Sequence, residues 1–280
     1  MHHRITIIGV GLTCALGVMA TSALGQEATN TPAATQPAAG SLYLRQKARY
    51  IRLGDDPSPE RGDRDVYESI TSLTYGLRRD VSLSLEVPLE YSVADTASGT
   101  ERDFGVNDIA LTIKYRPLQI DLNPLDSVRF AVFGGVEVPS GDRGFSSESV
   151  DVFAGGIFMA ILGRHGITQS VSYSFNQGAE DYRSRAGDGP DDALRYDTAY
   201  LYRLAPEAYG AETGAATYLT LELNGLYELN GDHEILLGGG VLYEARSFAL
   251  EAAVGLPIHQ DVDERAERDL IVTLGVRILF

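Results

Sequence analysis

The sequence predicts an all-β fold: a single antiparallel up-and-down transmembrane β-barrel of about twelve strands around a narrow lumen. Three observations predict it. The last residues, Leu270 to Phe280, alternate between two faces. The same alternation recurs through most of the chain. The connections between the alternating segments are long and short in turn.

Within the closing stretch, Phe280, Ile278, Val276, Leu274, Val272 and Leu270 form an unbroken apolar face. Leu279, Arg277, Gly275, Thr273 and Ile271 form the other, which is smaller and more polar. A period of two is a strand with different surroundings on its two sides. Alone, this segment also fits the last strand of a soluble sandwich. With its terminal aromatic residue it resembles the closing strand of bacterial outer-membrane barrels. That resemblance implies that Phe280, Ile278 and Val276 form the signal read by the barrel-assembly machinery.

The chain of 280 residues is 44% hydrophobic and 22% charged, which excludes a generally disordered polymer. Its formal net charge of -16 argues against nucleic acid as a partner, since phosphate binding needs clustered Lys and Arg. Cys14 is the only cysteine, so there is neither a disulfide framework nor a Cys-based metal site. After the N-terminus no apolar run reaches the length of a membrane helix. If the chain spans a membrane it must do so as a closed barrel, because only that or a helix satisfies the backbone in lipid.

Residues 1–25 read as a cleaved export signal. Arg4 begins it, Ile5 to Ala20 is apolar, and Ala23-Leu24-Gly25 is an A-x-A-like cleavage site. A lipoprotein anchor at Cys14 fits poorly, because the apolar run continues past it. Residues 26–41, rich in Ala, Thr and Pro, read as a flexible periplasmic tail without a packed core. Residues 42–280 read as the barrel.

Val81 to Val93 shows the strand pattern best. Val81, Leu83, Leu85, Val87, Leu89, Tyr91 and Val93 share one face, and Ser82, Ser84, Glu86, Pro88, Glu90 and Ser92 share the other. A helix of 3.6 residues per turn would smear both sets around its cylinder. Repeating the reading gives strands near 42–53, 65–77, 81–93, 106–116, 127–138, 150–162, 166–176, 194–204, 217–229, 234–244, 247–257 and 270–280. A tilted strand of about ten residues crosses the apolar layer of a bilayer. An even count returns both termini to one side.

Connections 54–64, 94–105, 139–149, 177–193 and 258–269 are long and polar, and 78–80, 163–165 and 245–246 are tight. Long outer loops and short periplasmic turns are the habit of such barrels, and a soluble sandwich has no reason to show it. The short Asn230–His233 and the long 117–126 and 205–216 depart from the rule. Tyr43, Tyr67, Tyr91, Tyr115, Tyr196, Tyr218, Tyr227 and Tyr243 fall near strand ends, as in an interfacial girdle.

A charge facing lipid at mid-depth costs about 2–4 kcal/mol, so charged positions are assigned to the lumen. Arg45, Lys47 and Arg49 form a basic ladder on the first strand. Glu86, Glu90, Lys114, Arg116 and Glu137 follow, then Glu222, Glu251 and Arg277. Asp151, Arg195, Asp197, Arg203, Glu228 and Glu244 share their parity. One reading has the basic stripe facing carboxylates across a constriction. The other has the charges pairing directly and filling the barrel. Twelve strands lie between the self-filled eight and the open sixteen, so the strand number leaves both readings standing.

Several stretches resemble one family: V-P-L-E-Y at 87–91, G-V-N-D-I-A-L-T-I-K-Y-R at 105–116 and V-E-V-P-S-G-D at 136–142. L-E-L-N-G-L-Y-E at 221–228 and G-G-G-V-L-Y-E-A-R-S-F-A-L-E-A-A-V-G-L-P-I at 238–258 continue it. They are similar to the outer-membrane proteins named for the MetA pathway of phenol degradation, described as transporters of hydrophobic or aromatic compounds. The resemblance implies an uptake role and no defined binding residues.

The expected function is passive passage of small solutes across the outer membrane, without catalytic residues, metal or cofactor. The expected partners are outer-membrane lipids, the small-molecule solute, and, during biogenesis, periplasmic chaperones and the assembly machinery. A closed structural or surface-interaction barrel is the second reading. A lipid-modifying barrel enzyme is the third. It needs a Ser–His pair at the lipid-facing outer rim, and His165, His233 and His259 fall in connections. Asp261-Val262-Asp263-Glu264 begins like a calcium loop but lacks its glycine, and reads as a solvated acidic loop.

Overall fold

The computed structural model describes residues 26–57, 62–96, 99–177, 191–210 and 212–280. The expected export signal, with Cys14, lies outside the described residues, as do parts of the expected outer connections.

Among the described residues thirteen strand segments run antiparallel: β1 Leu42–Gly54, β2 Arg64–Arg78, β3 Val81–Thr96, β4 Gly99–Val106, β5 Ile109–Asp121, β6 Ser127–Val138 and β7 Asp151–Leu162. They continue as β8 His165–Phe175, β9 Ala193–Ala205, β10 Ala215–Glu228, β11 His233–Ala245, β12 Phe248–Asp261 and β13 Glu267–Leu279. Sequential strands pair all the way round, and β1 pairs with β13. β4 and β5 together occupy one place beside β3. The result is a closed twelve-stranded barrel. Closure removes the edges of the twelve-stranded wall, while β4, in the hairpin raised above it, pairs with β3 alone among the described residues. At the seam Leu42 and Phe280 exchange both backbone hydrogen bonds, at 3.2 and 2.8 Å.

The strand periods in the sequence are those of the wall, with three differences, the last being that the connection expected at 258–269 is strand except at 262–266. The fourth strand was expected at 106–116 and its preceding loop at 94–105. Instead β3 continues to Thr96 and pairs with β4, so much of that connection is a raised hairpin. The break between β4 and β5 falls at Asn107 and Asp108. Pro88 of β3 faces this break and has no N–H to give, and its carbonyl accepts the Asn107 N–H at 3.0 Å. The ladder therefore loses a bond there.

The second difference is the expected connection 117–126. β5 continues to Asp121, and the register shifts between Tyr115 and Leu118. Pro117 is carried in this bulge, where no ladder N–H is required. Only 122–126 turns.

Outward positions are apolar over most of the wall. Leu73, Leu83, Ile113, Leu221, Val254 and Leu274 are among the exposed ones. Tyr50, Tyr67 and Tyr91 form a row of rings, with centroids 5.2 and 6.1 Å apart, near the rim opposite the termini. Tyr43 and Tyr218, expected in the girdle, point inward instead. Tyr218 is fully buried. Their positions near strand ends matched a girdle, but their parity is that of Arg45 and Glu222.

Candidate functional site: an occupied lumen

The expected flexible tail is inside the barrel. Residues 26–39 enter no sheet, yet Ala28, Thr29, Thr31, Ala33 and Ala34 are all buried. Their short side chains fit a narrow lumen, and the wall supplies what their backbone lacks.

Glu222, in the middle of β10, makes the firmest attachment. Its carboxylate accepts the N–H groups of Thr29, Asn30 and Thr31 at 3.1, 2.9 and 2.8 Å, and the Thr31 hydroxyl at 2.9 Å. Three successive amides turned toward one anion form a nest. Its wall neighbours are Ala199 and Gly238, neither of which can pair with a charge.

The second attachment is an ion cluster near the seam. Arg45 donates to Glu251 at 2.8 and 2.9 Å, and to the Thr29 carbonyl at 2.6 Å. Arg277 also pairs with Glu251, and reaches Glu27 at 3.1 Å and the Ala28 carbonyl at 3.0 Å. The Tyr43 hydroxyl donates to Glu27 at 3.2 Å. Gly275 makes room: a Cβ there would lie 2.3 Å from a Glu251 oxygen. A buried charge is tolerable only when paired and hydrogen-bonded, and here wall and tail share that work.

Beyond Thr31 the tail crosses to the opposite wall. Ala33 and Ala34 pack on Ala131, Ile157, Met159 and Ile161 of β6 and β7. Lys114 donates to the Ala33 carbonyl at 2.9 Å, and Arg116 to the Ala34 carbonyl at 3.2 Å. Gly40 then bonds to the Gly76 carbonyl at 2.8 Å and β1 begins.

A cavity of about 550 Å³ remains between the tail and the wall of β1–β3 and β5–β7. Lys47, Glu86, Lys114, Arg116, Arg129 and Glu137 are its charged walls that are not already paired in the seam cluster. Phe133 and Phe153 also line it, with ring centroids 6.4 Å apart.

The lumen candidates thus divide. Arg45, Glu251, Arg277, Glu222, Lys114 and Arg116 meet at the tail. The Lys47 ammonium faces the cavity without a hydrogen bond or ion pair among the described residues. Glu86 accepts from Ser72 at 2.7 Å and also lines the cavity, as does Glu137. Arg49 is paired with Glu68 across β1 and β2. Glu90 is buried and accepts from Asn107 at 3.0 Å.

Of the two readings of the lumen charges, direct pairing holds for Arg45 and Arg49, while the Lys47 ammonium of the same ladder faces the cavity. Arg45 and Arg49 pair with nearby wall positions, and Glu222 is taken by the tail. Among the other inward candidates, Asp197 accepts from Asn224 at 2.8 Å. Arg203 lies over the Tyr209 ring at 4.3 Å. Asp151 accepts from Gln177 at 2.7 Å near the rim, Glu244 is buried in the wall and Arg195 is exposed. Phe280 is exposed at the seam, and Ile278 and Val276 share its outward parity.

The rim opposite the termini holds a cluster that the sequence reading missed. Arg265, from the turn 262–266, is buried between Glu228 at 2.5 Å and Glu234 at 3.3 Å. Arg268 also reaches Glu234, at 2.5 Å. Asp232 accepts the Asp263 and Glu264 N–H groups at 2.9 and 3.1 Å, fixing the acidic turn from below. Strict alternation of β13 would put Arg268 outward with Leu270, but the register shifts between these two residues opposite Arg52 and Leu53 and turns Arg268 inward, so parity gave no signal for it.

His165, His233 and His259 lie on the outer face. His165 and His233 are each 2.6 Å from a tyrosine hydroxyl, of Tyr200 and Tyr196. The His233 and His259 rings stack edge-on at 4.9 Å.

No family model matches the sequence, and no curated protein sequence matches it. Among solved structures, the chain is similar to a COG4313 outer membrane channel from Pseudomonas putida F1. That match has a TM-score of 0.58 and 12% identity, covering 91% of this chain and 100% of the other. The translocator domain of the autotransporter NalP from Neisseria meningitidis gives 0.49 and 10%, over 87% and 89% of the two chains. The CymD monoaromatic hydrocarbon channel gives 0.44 and 9%, over 88% and 90%. At these identities the likeness is one of fold: an outer-membrane-type β-barrel.

Proposed function

We propose that this chain is an outer-membrane channel for passive passage of small solutes, with its own N-terminal segment as the obstruction in the lumen. The observation that carries the reading is the mode of attachment. The segment enters no sheet and is held by side chains, chiefly Glu222, so it can shift without opening the wall. An apolar exterior and a closed ladder suit hydrocarbon surroundings. The fold likeness to a protein described as an outer membrane channel supports the same reading.

Hydrophobic or aromatic cargo, as the MetA-type resemblance implies, is part of this proposal. So are export by a cleaved signal, chaperone-assisted delivery, and assembly through the Phe280 face. Nothing in the passage requires a catalytic group or cofactor. The test is conductance of the refolded chain in a planar bilayer under a salt gradient. Discrete steps with a reversal potential away from zero support an ion-selective channel. A folded, silent barrel overturns it.

The second reading is a closed structural barrel. The rim cluster around Arg265 and the seam cluster around Glu251 favour it, since both fill the lumen with paired charge. Silence in the same recording is its signature.

A further inference from the structure

We propose that the lumen cavity is a binding site for a small organic carboxylate with an apolar body. In passage this names the cargo of the channel proposed above, and it rests on that reading only for that role.

The charge balance of the walls is the starting observation. The chain as a whole is strongly acidic, with a net charge of -16. The cavity reverses that sign. Arg45 and Glu27, which also line it, are already committed to Glu251 and Arg277. What remains is Lys47, Lys114, Arg116 and Arg129 against Glu86 and Glu137.

These cations are not equally occupied. Lys114 and Arg116 hold the Ala33 and Ala34 carbonyls. The Lys47 ammonium makes no hydrogen bond or ion pair among the described residues, where the Arg129 Nε–H is also buried without an acceptor. A buried donor without a partner carries a desolvation cost. A carboxylate accepting from the Arg129 guanidinium relieves it with a charge-assisted bond, and Lys47 adds a second cation to the lining of the same cavity.

The rest of the lining selects the body of the ligand. Phe133 and Phe153 present a ring pair from β6 and β7, and Ile157 lies beside them. An apolar surface with a few convergent polar groups is the usual make-up of a small-molecule site. The volume of about 550 Å³ admits a single aromatic ring with its carboxylate.

The test uses the intact folded protein in detergent and equilibrium dialysis with labelled benzoate, against neutral benzamide as the control. Benzoate is expected to bind saturably, about tenfold tighter than benzamide. Lys47→Met and Arg129→Gln are each expected to weaken benzoate about tenfold and leave benzamide unchanged, and Lys47→Arg to retain benzoate binding. Equal binding of the two probes, or benzoate binding unaffected by Lys47→Met in a variant that folds, overturns the site. Because no membrane is involved, the two proposals fail separately. A silent barrel that prefers benzoate keeps the site and loses the channel. A conducting barrel that binds both probes alike loses the site alone.

Discussion

Thr31 gives the Glu222 carboxylate two hydrogen bonds to the same oxygen, from its amide at 2.8 Å and its hydroxyl at 2.9 Å. The two residues lie 191 positions apart. This contact fixes the N-terminal segment across the lumen, and with it the width of any path.

Glu222→Gln keeps the shape and removes the charge. Hydrogen bonds to a charged acceptor are worth about 1.5–3 kcal/mol more than none, and an amide accepts through only one of its two ends. The segment is expected to detach more often. In bilayer recordings the variant should show larger or more frequent open steps than the parent, and residues 26–39 should become more susceptible to protease.

Gly275 is required by Glu251. Gly275→Val places a branched side chain where the carboxylate now lies, against an oxygen only 2.3 Å from the Cβ position. Glu251 then releases Arg45 and Arg277. Leaving a buried charge without its partner costs about 3–5 kcal/mol. The prediction is a clear loss of resistance to thermal unfolding in detergent. Gly255→Ala is the control, because its nearest neighbour lies 3.9 Å away.

The turn 262–266 is pinned by Arg265. Arg265→Leu removes the guanidinium that joins Glu228 to Glu234 and leaves Glu234 its contact with Arg268. The expected loss is about 3 kcal/mol, read as faster proteolysis at this turn. The wall itself should persist, because its ladder does not pass through Arg265.

Phe280 is exposed, while its backbone is paired with Leu42. Phe280→Ala should therefore leave the finished barrel's stability nearly unchanged. If the terminal aromatic face is the assembly signal, the variant should insert more slowly by the cellular machinery but refold normally into detergent. Equal insertion rates would separate this chain from that expectation.

The wall was legible because each strand repeats one signal many times. From Val81 to Val93 every outward position is apolar and every inward one is small, polar or proline, so the faces followed with the strands. Proline was the exception at two of the misplaced boundaries. Pro117 looked like an end and is a bulge. Pro88 left no trace in its own strand but broke the neighbouring one at Asn107.

The lumen was less legible because its partners are backbone groups. Glu222 lies between Ala199 and Gly238, and that isolation was the sign that donors must come from elsewhere. Nothing in the composition of 26–41 distinguishes a segment that trails in solvent from one that fills a barrel. Short side chains serve both, and the deciding amides of Thr29, Asn30 and Thr31 belong to every sequence alike. Lys114 and Arg116 had the right parity, but their partners are carbonyls of Ala33 and Ala34.

The most direct test compares the parent chain with a variant lacking residues 26–38, both refolded into planar bilayers in the same salt. Small conductance steps are expected for the parent and much larger ones for the variant, because the same wall is then cleared of its obstruction. Equal conductance in two folded proteins would contradict it, and would mean that the N-terminal segment does not set the path through this barrel.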